Sequence, residues 1–288
     1  MERMIKINSL GFIKWAGGKK QLLEQFKMFF PQRIERYFEP FVGGGAVLFY
    51  VLQNYNPSYV LISDINEELI NCYKIIKTNV SELIKSLNKH KVKHNMEYYY
   101  KIRSLNPKGL SDIERASRFI YLNKTCFNGL YRVNSNGKFN VPMGSYKNPA
   151  IIQDKDLLVI SNLLAEVEIK NISFEEITKY ATVGDFIYFD PPYYPLNKTS
   201  SFTTYTKDSF LENEQKTLAK VFSDLHNKGC KLMLSNSDTN LIKHLYKDFN
   251  IHFVKANRMI NCDATKRGKI NEIVVTNYRL KFPIMGRF

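Results

Sequence analysis

A 288-residue chain with 44% apolar and 14% aromatic residues can bury a sizeable core, which excludes a disordered segment. No apolar run approaches the ~20 residues of a membrane span, and the N-terminal residues carry no signal-peptide core. Four cysteines without CxxC spacing (Cys72, Cys126, Cys230, Cys262) argue against a zinc site or disulfide framework and for reduced thiols in a cytoplasmic protein. The net charge of +15 suits a polyanionic partner, and residues 67–149 hold 15 Lys and Arg against 6 Asp and Glu.

The first motif is Phe12-Ile13-Lys14-Trp15-Ala16-Gly17-Gly18-Lys19. Gly17-Gly18 marks a loop, and Leu22, Leu23 and Phe26 then recur at helical spacing. Trp15, the only tryptophan, serves either as a core plug or as the wall of a ligand site. Lys19 is either solvated or the partner of a carboxylate. Next, Tyr37-Phe38-Glu39-Pro40-Phe41-Val42-Gly43-Gly44-Gly45-Ala46 reads as strand, glycine turn and helix. Glycine lets a backbone approach a neighbour where a Cβ would collide. A second strand, 59–63, ends at Asp64, roughly 20 residues past the glycine turn, where a nucleoside ribose is gripped. Asp64 would equally serve as the N-cap of the following helix.

One helical pattern runs from Ile65 through Leu69, Tyr73, Ile76, Val80, Leu83 and Leu87, and two more fit residues 97–105 and 112–122. Asn136-Gly137, between Arg132-Val133-Asn134 and Lys138-Phe139-Asn140-Val141, predicts a β-hairpin. A basic, Asn-rich hairpin is either a surface feature or a reader of the DNA major groove, where Arg pairs with guanine and Asn with adenine. Phe127 is either a core plug or a wedge between base steps. After Pro149 come a short strand at 167–169 and the apolar run Phe186-Ile187-Tyr188-Phe189. Asp190-Pro191-Pro192-Tyr193 follows. The polar stretch between Tyr194 and Ser209, with Phe202 and Tyr205, is long enough to be either disordered or functional, the functional reading being a lid over the substrate base. A helix at 213–225, a strand at 231–234 ending in Ser235-Asn236, and strands at 251–254 and 272–275 complete the chain. The last two flank a basic loop holding Lys266, Arg267 and Lys269.

Asp190-Pro191-Pro192-Tyr193 is the stretch around which the rest is organised. An apolar run closed by two prolines is a strand buried on both faces that must stop there, since proline has no N–H to donate. Asp190 is thus expected at the carboxyl end of a central strand, where open α/β sheets bind ligands. A carboxylate and the Pro191 carbonyl can each accept one hydrogen of an exocyclic amine. They thereby favour the positive charge that develops as adenine N6, a poor nucleophile, attacks a sulfonium methyl. The ring of Tyr193 offers a face for a planar base. A Pro-rich surface turn is the bland alternative.

Taken together and in this order, these motifs resemble the Dam-type D12 class (α-group) of DNA adenine-N6 methyltransferases. FIKWAGGK is similar to that family's N-terminal cofactor motif, FEPFVGGGA to its glycine motif and DPPY to its catalytic motif, and CFNGLYRVNSNGKFNVPMG falls where it carries target recognition. The resemblance implies an α/β, Rossmann-like, seven-stranded S-adenosylmethionine-dependent fold with an inserted helical-plus-β-hairpin target recognition domain. Residues 1–66 and 150–288 would form the catalytic domain and 67–149 the recognition domain. It assigns Asp190, Pro191, Pro192 and Tyr193 to catalysis. To S-adenosylmethionine it assigns Trp15, Lys19, Glu39, Phe41, Gly43, Asp64 and Asp190. Double-stranded DNA would meet Lys14, Leu130, Arg132 and Pro142 at a GATC site, with Phe127, Asn128 and Asn134 supporting intercalation or backbone contacts. Ser145 stands where some relatives carry arginine. A flipped target base, no metal, a DNA-associated cytoplasmic location and a cognate restriction endonuclease as partner complete the expectation. Three rivals remain: an RNA or protein-glutamine acceptor, served by related PPY motifs; a non-catalytic DNA binder; and a dinucleotide oxidoreductase.

Overall fold

The structure, a computed structural model, describes residues 11–151, 153–195, 210–257 and 269–280. The candidate lid with Phe202 and Tyr205, Cys262, and Lys266 and Arg267 of the basic loop lie outside them. Seven strands form one sheet: β1 (Arg36–Glu39), β2 (Tyr59–Ser63), β3 (Val167–Lys170), β4 (Phe186–Phe189), β5 (Lys231–Ser237), β6 (Asn250–Asn257) and β7 (Lys269–Thr276). Their order is β3-β2-β1-β4-β5-β7-β6, with β7 antiparallel between β5 and β6 and the other pairings parallel. This is the seven-stranded α/β architecture the sequence implies.

All four residues of β4 are buried, as a strand covered on both faces requires. Side-chain alternation divides them. Phe186 and Tyr188 join Tyr37, Val60 and Ile62 in the core under one face, while Ile187 and Phe189 join Phe38 and Leu61 under the other. The first face is covered by α2 (Ala46–Asn54), α3 (Glu67–Thr78) and α7 (Asp154–Leu163). Its core runs on without a break into α4 (Val80–Lys93), α5 (Met96–Ser104) and α6 (Asp112–Thr125). The second face packs against α8 (Glu212–Asn227) and α9 (Asn240–Leu245). A short helix, α1 (Leu23–Phe26), follows the first motif.

The chain runs from β1 outward to β2 and β3, then returns to β4 on the opposite side of β1. Strand order therefore reverses between β1 and β4, and the crevice beyond their carboxyl ends is the ligand position of such sheets. Glu39 ends β1 and Asp190 follows β4, so both carboxyl groups lie at that crevice.

Two local expectations differ from the structure. The helical pattern that runs through residue 87 is broken at Asn79, whose φ of −138° and ψ of 37° separate α3 from α4. Its backbone serves both helices, its N–H donating to the Ile75 carbonyl and its own carbonyl accepting from Leu83 N at 3.0 Å, and asparagine tolerates such a junction better than alanine or leucine. The N-cap of α3 is Asn66, whose Oδ1 accepts from Leu69 N at 3.1 Å, so Asp64 is released from that role. Among the described residues no helix is long and apolar enough to cross a membrane, and Cys72, Cys126 and Cys230 are free and buried.

Candidate active site

Asp190 is held from two directions at the tip of β4. Lys19 Nζ lies 2.8 Å from its Oδ1, and Ser235 Oγ, at the end of neighbouring β5, donates to the same oxygen at 2.9 Å. Among the described residues Oδ2 receives no hydrogen bond, and the side chain keeps 19% of its surface exposed. Burial raises the Asp190 carboxyl above its ordinary range, against the opposing pull of Lys19 and Ser235. Tyr188, buried in β4, shares a 2.8 Å hydrogen bond with Ser235 and so backs the second support. Lys19 is itself buried at 4% exposure. Its Nζ also donates to the Gly17 carbonyl and lies 4.5 Å from the centroid of the Tyr193 ring. The Tyr193 hydroxyl donates to Glu272 Oε2 at 2.7 Å. One lysine thus touches both the acid and the aromatic of the tetrapeptide. Burial raises the carboxyl of Glu272 as well.

The glycine turn after β1 brings the other group together. Gly43 has φ of 47° and Gly45, the N-cap of α2, has φ of 72°, conformations that favour glycine. The neighbour that the missing Cβ of Gly43 admits is the Trp15 indole, whose Cδ1 would lie 2.7 Å from it. Asp64 reaches back across the strands: Oδ2 accepts from Gly43 N at 3.2 Å and Oδ1 from Asn66 N at 3.0 Å. Burial outweighs these bonds and lifts the Asp64 carboxyl to about 6. Glu39 is buried, accepts from the Tyr37 hydroxyl at 2.7 Å, and is pushed well above the usual carboxylate range by burial and by the nearby charge of Asp190. Phe41 turns to the opposite face, stacked on Phe174 at 5.3 Å between centroids.

The segment from Asn123 to Tyr146 is stitched to the first motif. Asn123, 1% exposed, accepts from Lys14 N at 2.8 Å and donates to the carbonyls of Lys14 and Gly129 at 2.8 and 3.0 Å. Trp15 stacks on Tyr131 at 5.9 Å, and Lys14 Nζ donates to the Tyr146 hydroxyl at 3.2 Å. The hairpin forms where the sequence places it, bridged by Val133 and Phe139. Gly137 takes φ of 72° but Asn136 is not left-handed, so the turn is a three-residue loop closed by a glycine, not the two-residue type that needs both. Asn134 Oδ1 is committed to that turn, accepting from Asn136 N and Lys138 N at 3.0 Å each. Arg132 Nε donates to Asn140 Oδ1 across the hairpin at 2.7 Å. Phe127 is 51% exposed. Asn128 beside it has φ of 55°, and Pro142 accepts from Phe127 N at 2.9 Å. Leu130 is half-buried.

Residues 15–260 match the profile of the D12 class N6 adenine-specific DNA methyltransferases. The chain belongs to that family. It is 48% identical over 284 residues to the type II methyltransferase M.MjaIII of Methanocaldococcus jannaschii, covering 93% of this chain and 98% of that protein. It is 47% identical to the type II methyltransferase M1.LlaDCHI of Lactococcus lactis subsp. cremoris, covering 95% and 97%. The DNA adenine methylase of Escherichia coli K12 is 34% identical, with 91% and 93% covered.

This D12 methyltransferase therefore places its tetrapeptide, glycine turn and buried lysine around one crevice. The braces that sequence reading missed are Ser235, Glu272, Asn123, Tyr131 and Asn140. The only visible signal for any of them was the polar Ser235-Asn236 pair closing an apolar strand.

Proposed function

We propose that the chain transfers a methyl group from S-adenosylmethionine to adenine N6 within GATC in duplex DNA, taking the target base out of the stack to reach it. The observation that carries the reading is the asymmetry at Asp190. Lys19 and Ser235 both occupy Oδ1, which among the described residues leaves Oδ2 as an acceptor whose direction is already set. The 67–149 segment would present the DNA-binding side chains. Arg132, braced on Asn140 through Nε and, at 3.4 Å, through Nη2, keeps Nη1 for a guanine edge, and the exposed Phe127 suits a wedge between base steps. Extruding the base costs a few kcal/mol.

The crevice residues fit the methyl donor. Asp64 would offer a half-buried carboxylate to ribose hydroxyls, Trp15 lies over the glycine turn, and the acidic groups of Asp190 and Glu39 at the strand ends would favour a cationic sulfonium. When bound, S-adenosylmethionine supplies an electrophilic methyl on that sulfonium. Asp190 Oδ2 and the Pro191 carbonyl each accept one N6 hydrogen. Both acceptors stabilise the positive charge on nitrogen as the N–C bond forms and the C–S bond breaks. The surplus proton leaves after attack, so no general base is needed. Detection of modified adenines in DNA from cells expressing the protein tests acceptor atom and sequence context together. N6-methyladenine outside GATC would overturn the site assignment, and better transfer to RNA or peptide than to duplex DNA would overturn the acceptor.

Two expected results arise directly. Arg132→Ala costs roughly 1–3 kcal/mol of discrimination at one guanine position, read from methylation rates on substrates substituted base by base. An equal loss on every sequence would make Arg132 a phosphate contact. The second concerns pH. Asp64 must be ionised to accept from a ribose, and its carboxyl titrates at about 6. Affinity for S-adenosylmethionine is therefore full above pH 7 and falls by up to about tenfold per unit as pH drops below 6. Trp15 fluorescence reports the binding, and Asp64→Asn flattens the profile.

A further inference from the structure

Beneath the Asp190–Tyr194 loop lies a polar layer that the reaction as described leaves without a role. Gln215, near the start of α8, and Asn236, in β5, are both 0% exposed. Gln215 Nε2 donates to the Pro192 carbonyl at 3.0 Å, and its Oε1 accepts from Asn236 Nδ2 at 3.0 Å. Asn236 Oδ1 accepts from Tyr194 N at 3.3 Å and from Ser237 N at 2.8 Å. Ser237 Oγ donates to the Tyr194 carbonyl at 2.7 Å. The backbone is thus gripped on both sides of Tyr193 by side chains from two other elements.

Burying two primary amides is unfavourable unless each is bonded, and an apolar pair would fill the same space without that requirement. What the amides add is direction. Two successive prolines carry no N–H, so the loop cannot be tied through its own amides there and must be held by its carbonyls. The Pro191 carbonyl rides on the peptide plane next to the one Gln215 holds, joined to it through the φ of Pro192, which the ring locks, and its ψ, the one soft rotation left between them. Among the described residues that carbonyl has no partner of its own. Holding the Pro192 carbonyl, with Tyr194 held on the other side, restricts that rotation and so narrows its aim.

We propose that Gln215 and Asn236 form one positioning device that aims the Pro191 carbonyl and seats Tyr193 for the target adenine, setting turnover without touching DNA or cofactor. The inference rests on reading Asp190 and Pro191 as the two acceptors of the amine. Gln215→Met keeps the length and removes both hydrogen-bonding atoms. Its kcat is expected to fall roughly 10- to 100-fold, because a misplacement well under an ångström is felt in the rate. Binding of S-adenosylmethionine, followed by Trp15 fluorescence, and of duplex DNA, followed by anisotropy, stays within about threefold. In Asn236→Leu the Tyr194 amide, having lost its acceptor, exchanges with deuterium faster than in the wild type. The double variant is expected to be no slower than the slower single by more than about threefold, since the two act as a unit. Should Gln215→Met fail to fold, Gln215→Asn reads the same contact, its amide being one methylene short of the Pro192 carbonyl.

A folded single variant with kcat within twofold of wild type overturns the proposal. So does a parallel weakening of both ligands that accounts for the whole rate loss. Asp190→Ala separates the levels: an active Asp190→Ala enzyme overturns the acceptor reading itself, whereas an inactive one beside a fully active Gln215→Met enzyme overturns only the positioning role.

Discussion

Asp190→Ala is expected to lower kcat by roughly 10³-fold or more at pH 7.5 while S-adenosylmethionine affinity changes by less than tenfold. The substitution removes the carboxylate that meets the amine as charge develops on it. Losing one preorganised hydrogen-bonding group of this kind costs about 3–4 kcal/mol in other enzymes, and here a full charge goes with it. Single-turnover methyl transfer on a duplex, with binding measured separately through Trp15, gives both numbers. Asp190→Asn retains an acceptor oxygen without the charge and should fall between the two. The competing account is that Lys19 and Asp190 form a structural strut, since their 2.8 Å contact is buried on the lysine side. A strut predicts a large loss of melting temperature with kcat near normal in the surviving folded enzyme, because breaking a buried pair costs about 3–5 kcal/mol. Oδ2, which no described residue bonds, and the residual exposure of Asp190 favour the catalytic account.

What could be read from the sequence here is what is contiguous in it. The buried run of β4, its termination by two prolines and the hairpin around Gly137 are local consequences of residue type, and each forms where its own residues place it. The braces are not local. Ser235 is 45 residues from Asp190, Gln215 is 23 from Pro192 and Glu272 is 79 from Tyr193, and no periodicity links them. Asp64 and Asn66 illustrate a different limit. Either residue type caps a helix well, and only the placement of the glycine turn above β2 shows that the acid turns back to Gly43 N while the amide takes the cap. Trp15 is a third case. Whether it plugs the core or lines a site has no answer in one dimension, because its packing partners are distant in sequence. It stacks on Tyr131 and Phe119 while covering the space over Gly43.

Lys19→Met should move the acid limb of the kcat–pH profile upward by roughly 1–3 units, the displacement an opposite charge at contact distance produces in a carboxyl group. The direction follows from the causes at Asp190. Burial alone raises its carboxyl, and the charge and hydrogen bond of Lys19 are two of the three influences that hold it down, Ser235 being the other. With the lysine gone, Asp190 is protonated over a wider range. A protonated carboxyl brings no negative charge to meet the positive charge developing on the amine, so the rate near neutrality falls and is recovered in part at higher pH. Stability gives an independent check with the same sign. In the folded protein Asp190 titrates above its ordinary value of 3.8, so ionisation disfavours the folded state as pH rises through that window. Removing Lys19 enlarges the penalty. The melting temperature of Lys19→Met should therefore fall further below wild type as pH rises, and the two should approach each other as pH falls and the carboxyl becomes protonated in both folded forms. A variant that loses the same fraction of activity at every pH would assign Lys19 to the cofactor or to DNA and leave Asp190 to be ionised by Ser235 and solvent alone.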